Sequence, residues 1–233
     1  MQKTPNLDAQ VDGPQYRGPA TFMKARALSE PDELDQWRPD VAIVGAPWDD
    51  GTTYRPGARF APRAVRVANY QPPSWHLDLE VAPFDVLNVI DYGDAVCYPG
   101  LTEQAHEAIR SRVAEVASRK VVPIVIGGDH SITYPAATAV ADAYGRGKVG
   151  LVHFDAHADT GRDTWGNLAS HATPMRRLIE SGAIPGRNFD QNGLRGYWPG
   201  RETFEGMGAE GMRRALMGEL LDRGFEAGMD QAI

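Results

Sequence analysis

Cysteine is almost missing from this chain: Cys97 is the only one among 233 residues. A lone thiol excludes an internal disulfide framework and a thiolate-bound metal cluster, and it fits a reducing compartment. Long apolar runs are missing as well. No stretch approaches the roughly 20 apolar residues that span a bilayer, and the opening MQKTPNLDAQVDGPQYRGPA lacks the apolar centre of a signal peptide. The expectation is a cytoplasmic protein with no membrane partner. Nor is there an excess of positive charge. A formal charge of −7 and a pI near 5.4 argue against a nucleic-acid partner and would attract or tolerate a cationic small molecule.

What the chain does have is centred on Val149 to Asp159, VGLVHFDAHAD. Val149 to His153 reads as a buried strand, and it runs into Asp155, His157 and Asp159 at alternate positions. On an extended backbone these side chains share a face, and isolated buried carboxylates are strongly disfavoured unless something pairs with them. A divalent cation would do so. By the same alternation His153 lies on that face and is a candidate for supporting a ligand from behind.

Around this centre strands and helices alternate. VAIVGA at Val41 to Ala46 is a continuous apolar strand of the kind covered on both faces in parallel sheets. Thr21 to Ala27 reads as a short helix, Pro62 starts a helix running to about Asn69, and FDVLNVID at Phe84 to Asp91 reads as a second strand. Thr102 offers an N-cap to a helix through Arg119. Val121 to Ile126 is a third buried strand with Pro123 as an irregularity, and Ile132 to Tyr144 follows as a helix. Further on, Met175 to Ser181 reads as helix, Asn188 to Leu194 and Met212 to Met217 as strands, and Glu219 onward as helix. The alternation indicates a wound, mostly parallel α/β sheet. In such sheets ligands sit at the carboxyl ends of strands, where both GGDHS (Gly127 to Ser131) and DAHAD emerge.

His130, Asp155, His157 and Asp159 make a sulfur-free set of imidazoles and carboxylates that suits Mn²⁺, Zn²⁺ or Fe²⁺, leaning toward manganese. Asp129 is either a further ligand or a residue that orients its glycine loop. His76 and His106 read as surface or satisfied core residues, and the arginines of Gly51 to Arg66 as a solvated loop or the wall of a pocket.

GGDHS and FDAHAD resemble the first two metal motifs of the ureohydrolases, the arginase and agmatinase family. GTTYRPGARFAPRAVR at Gly51 to Arg66, the segment GLRGYWPG and the spacing to SHATPM resemble the agmatinase branch more closely. The resemblance covers nearly everything from Val41 onward. It implies an arginase-like, three-layer α/β/α fold with a mostly parallel sheet, binding two Mn²⁺ ions. The reaction it implies is hydrolysis of a guanidino substrate such as agmatine or guanidinobutyrate to urea and an amine. At matched positions it implies His130, Asp155 and Asp159 as ligands of one ion and Asp155 and His157 as ligands of the other. It further implies that hydroxide formed between the ions attacks the guanidinium carbon, that Asp159 protonates the leaving amine, and that His171 shuttles protons or contacts substrate. Asn167 is a candidate contact for the substrate's far end. The implied assembly is a homo-oligomer, trimer or hexamer.

The family's third metal motif, SxDxDxxDP, is not found in these residues. The expectation is therefore an N-terminal arm over residues 1–40 and an incomplete ureohydrolase domain over 41–233, with the C-terminal strands missing and apolar strands left unpaired. Two other classes compete. A metallophosphoesterase also uses DxH and GD elements, but in the opposite order and with a GNH-type element absent here. A non-catalytic metal-binding or regulatory subunit of the same family, or an inactive fragment, would keep the ligands without the turnover.

Overall fold

A computed structural model describes Pro14, residues 16–68 and residues 75–229. Residues 1–13 and 15 of the expected arm, Asn69, the expected end of a helix, and residues 230–233 of the expected C-terminal helix lie outside the described residues. The chain forms two compact units, residues 1–50 with 54–129 and residues 51–53 with 130–233.

The first unit runs β1 (Arg26–Ala27), α1 (Pro31–Trp37), β2 (Val41–Ala46), α2 (Ala61–Ala68), α3 (Pro83–Val86), β3 (Val89–Asp94), α4 (Thr102–Ala117) and β4 (Val122–Gly127). Its strands are all parallel, in the order β1-β3-β2-β4. Central β2 is apolar throughout because it is covered, with Ala42, Ile43, Val44 and Ala46 all buried. Helix α4 turns Ala105, Ile109, Val113 and Val116 inward at helical spacing, all buried. Burial of each Val or Ile stabilises by about 1.5–3 kcal/mol. Beside them the buried guanidinium of Arg66 makes two bonds to Asp91, from Nε at 2.8 Å and Nη2 at 2.9 Å, which compensates the cost of burying both charges.

Several boundaries move from their sequence positions for local reasons. Thr21 to Ala27 is a 3₁₀ turn at Phe22–Lys24 followed by β1, and no α-helix. Helix α1, unread in the sequence, opens on Pro31 at its first position, and Glu33 accepts from the backbone N–H groups of Ser29 and Glu30. Pro83 likewise starts a helical turn where a strand was expected, so β3 begins only at Val89. Pro123 is accommodated because β4 ends its sheet. Being terminal also leaves β4 less covered than its composition suggests: Val122 is 54% and Ile124 46% exposed.

The second unit holds α5 (Thr133–Tyr144), β5 (Leu151–Phe154), α6 (Pro174–Glu180), β6 (Phe189–Leu194), α7 (Arg201–Ala209), β7 (Arg213–Leu216), α8 (Met217–Arg223) and α9 (Phe225–Met229). A 3₁₀ turn over His130–Ile132 leads into α5. Its sheet is parallel in the order β5-β6-β7, so parallel α/β architecture is present as expected, but as two sheets. The core gathers Met175, Leu178, Ile184, Phe189 and Leu194, all buried. Strand β5 starts two residues later than expected and is half-covered, with Val152 and Phe154 exposed. No helix among the described residues is long and apolar enough to cross a membrane.

One glycine of GGDHS is required by the fold. Gly128 has φ +88°, and a Cβ there would press on the carbonyl oxygens of Trp48 and Ala46, which are backbone and cannot swing away. Gly128→Ala is therefore expected to lose on the order of 3 kcal/mol of stability. Chemical denaturation checks this, and a loss under about 1 kcal/mol would show that the segment relaxes freely.

Candidate metal centre

The DAHAD segment begins where β5 ends. The strand stops at Phe154, so the pleat does not carry Asp155, His157 and Asp159 onto one face. A clamped loop brings the groups together. Asp155 N–H donates to Asn192 O at 3.1 Å, Arg195 N–H to Ala156 O at 2.9 Å, and Met175 N–H to Asp159 O at 3.1 Å. The Gln191 side-chain amide donates to Ala158 O at 2.7 Å. Strand β6, the residue after it and the first turn of α6 thus fix the loop from three sides. Asp159 sits at φ 48°, in the left-handed region that non-glycine residues adopt infrequently.

His130 faces that carboxylate. Its Nδ1 lies 2.5 Å from Asp159 Oδ2 and 3.7 Å from Asp155 Oδ2, and its ring stacks on that of buried His153 with centroids 5.0 Å apart. His153 Nε2 lies 3.4 Å from Asp155 Oδ2. Asp155 also accepts the His157 backbone N–H at 2.7 Å. Burial alone would push the Asp155 carboxyl up. The pull of His153, the His157 N–H and His130 outweighs it and holds the group down at about 2.

Of the residues singled out from sequence, the structure brings His130, Asp155 and Asp159 together, with His153 as a fourth member. His157 stands at the rim: its side chain is 55% exposed and its Nδ1 is 3.8 Å from Asp155 Oδ1. His171 has a different neighbour, Thr53 Oγ1 at 3.1 Å. Asn167 is exposed and its side-chain oxygen accepts the Ala169 N–H at 2.9 Å in a local turn. Asp129 is buried, with its N–H on Trp48 O at 2.8 Å.

The donor set fits a divalent cation. Nitrogen and oxygen donors of His130, His153 and Asp155 lie within 4.8 Å of one another, and Asp159 adds a second carboxylate against His130. A cavity of about 600 Å³ opens beside it, lined by Asp155, His157, Asn192, Arg195, Met217 and Phe225. That volume suits a small molecule. Sequence reading missed Gln191, Asn192 and Arg195 as parts of the site. The available signal was polar FDQN in a strand that is buried throughout.

A family model described as the arginase family matches residues 39–233. Guanidinobutyrase of Pseudomonas aeruginosa is 36% identical over 200 residues, covering 86% of this chain and 61% of that protein. The mitochondrial agmatinase of Gallus gallus is 40% identical over 157 residues, covering 67% of this chain and 46% of that protein. Among solved structures, proclavaminate amidino hydrolase from Streptomyces clavuligerus superposes with a TM-score of 0.81 at 31% identity, over 94% of this chain and 71% of that one. The chain thus spans about half to two thirds of the length of the two curated relatives named.

The depressed Asp155 carboxyl yields a pH test. A carboxylate held below its ordinary value of 3.8 adds stability above about pH 4 and loses it as pH falls toward 2. Protonated Asp155 resembles an amide, so the stability gap between the chain and Asp155→Asn in urea melts should narrow from about pH 5 to about pH 2.5. An unchanged gap would show that the fold does not hold this carboxylate in its charged form.

Proposed function

Because the chain belongs to the arginase family, we propose that it hydrolyses a guanidino compound to urea and an amine, with Mn²⁺ held by His130, Asp155, His157 and Asp159. The convergence of His130 on both Asp155 and Asp159 is the observation that carries this reading. When bound, divalent ions at these residues supply positive charge that acidifies water and offsets the clustered carboxylates.

The protein groups have separable tasks. Asp155 and Asp159 supply the negative charge that would hold the cations. His130 Nδ1 lies 2.5 Å from Asp159 Oδ2, so the imidazole and this carboxylate face the same point. As the carbon–nitrogen bond breaks and the water oxygen stays on carbon, Asp159 passes a proton to the departing amine nitrogen. His171, resting on Thr53 Oγ1, relays protons or contacts the substrate, and Asn167 contacts its far end. The cavity beside Asp155 accommodates a short guanidino substrate, with agmatine and guanidinobutyrate the leading choices after the names of the relatives. The lone cysteine supports a cytoplasmic location, and the family resemblance supports a homo-oligomer, trimer or hexamer, with neither nucleic acid nor membrane as partner. The arginase-family match removes the metallophosphoesterase reading.

A second reading, a metal-binding subunit without turnover, draws on the donors themselves. The cluster unites two carboxylates, Asp155 and Asp159, whereas paired ions commonly take more. Urea release from agmatine, guanidinobutyrate, guanidinopropionate and arginine after incubation with Mn²⁺ separates the two, with bound metal counted on the same sample. The hydrolase reading expects urea from at least one compound and a loss of more than about 100-fold in Asp155→Asn. Stoichiometric metal with no urea from the panel would favour the second reading, and neither metal nor urea would remove both.

A further inference from the structure

Distance alone would make His153 a metal ligand, since its ring nitrogen falls in the same donor cluster as His130 and Asp155. The hydrogen bonds behind the ring argue otherwise. Gln191 is fully buried on β6. Its Nε2 lies 2.7 Å from Ala158 O and 2.9 Å from His153 Nδ1. A carbonyl oxygen can only accept, so the nitrogen of the amide, and not its oxygen, must face Ala158. Turning the amide over would set Oε1 against that carbonyl, acceptor on acceptor. The same nitrogen then presents its other N–H to His153 Nδ1, which must accept it. A neutral imidazole that accepts at Nδ1 carries its proton on Nε2.

The opposite side of the ring gives the same answer independently. Nε2 is buried, makes no well-formed hydrogen bond, and faces Asp155 Oδ2 at 3.4 Å. A bare lone pair there would point at a carboxylate oxygen. An N–H steers that oxygen by attraction at a distance slightly too long for a normal bond. We infer that Gln191 locks His153 as the Nε2–H tautomer, making His153 a positioning residue that orients Asp155 and not a ligand. The chain Ala158 O, Gln191, His153, Asp155 then runs from the clamped loop through β6 and back to the loop's first carboxylate. It sets the direction in which Asp155 presents its carboxylate. This deepens the metal-centre reading, but its first test needs neither metal nor turnover.

The test is nitrogen NMR of the histidine rings in the full, metal-free chain near neutral pH, with His153 assigned by its loss in His153→Gln. The expected result is a proton on Nε2 and an acceptor signature at Nδ1. A proton on Nδ1 overturns the inference outright. Gln191→Leu should convert His153 to a mixture of tautomers, and Gln191→Met does the same task if the leucine variant folds poorly. A ring that keeps the pure Nε2–H form in the folded variant would show that Gln191 is not the lock. In the second arm Zn²⁺, which is diamagnetic, is added and its binding followed by calorimetry. With Zn²⁺ bound, the Nε2–H signal should persist, and both His153→Gln and Gln191→Leu should weaken Zn²⁺ by about 10- to 100-fold. Loss of the Nε2 proton on zinc binding would make His153 a ligand.

Discussion

Placing two carboxylates at the end of a strand, partly out of water, is the constraint on which the site depends. Burial raises the cost of the Asp155 charge. Among the described residues the fold answers with imidazoles and backbone N–H groups: His130 faces both acids, His153 faces one, and the His157 N–H caps the same one. Compensation by imidazoles and N–H groups brings no fixed positive charge to the cluster among the described residues. A fixed guanidinium would have completed the charge balance and closed the site to a cation. Elsewhere the same chain uses that closed solution, with Arg66 bonded to Asp91 in the first unit. The contrast separates an ion pair closed by a guanidinium from a carboxylate cluster faced by imidazoles.

Holding such a cluster in register needs a stiff frame, and that frame is backbone. Each clamp on the DAHAD loop uses a main-chain atom of the loop: the N–H of Asp155 and the carbonyls of Ala156, Ala158 and Asp159. Side chains at 155, 157 and 159 are thereby free to differ in role without moving the loop. GGDHS follows a related rule, because Gly128 packs its own backbone against two carbonyl oxygens. Both motifs that looked chemical in the sequence are therefore also tightly held pieces of main chain.

Much of this was legible before the structure. VAIVGA declared itself a covered parallel strand because its apolar run has no polar break, and β2 is buried on that pattern. Helix α4 declared itself by the spacing of Ala105, Ile109, Val113 and Val116. Proline misled where its position mattered more than its presence: Pro31 opens α1, unread within the expected arm, and Pro83 opens a helical turn over residues expected to begin a strand at Phe84. The terminal strands exposed another limit. VVPIVI and LVHF are also mostly apolar, yet Val122, Ile124, Val152 and Phe154 are exposed. Periodicity reports what a strand could bury, whereas coverage depends on its place in the sheet order, which no local window contains.

The site was half legible for a similar reason. Asp155, Asp159 and His130 could be picked by residue type and spacing, although the pleat argument for their convergence fails, since extended backbone ends at Phe154. Gln191 could not be picked, because its importance lies in which of its two amide atoms faces Ala158, a fact set by a contact 33 residues away in sequence. The same logic bears on how ligands are assigned. Proximity treats every imidazole nitrogen as a potential donor to a cation, but a buried ring has one lone pair to give, and its neighbours decide where that lone pair points. His153 lies nearer the heart of the cluster than His157 and is far better buried. Its lone pair is turned toward Gln191, while the exposed ring of His157 has no such obligation. In the proposed centre, the solvent exposure of His157 is what leaves its ring room to turn toward a cation.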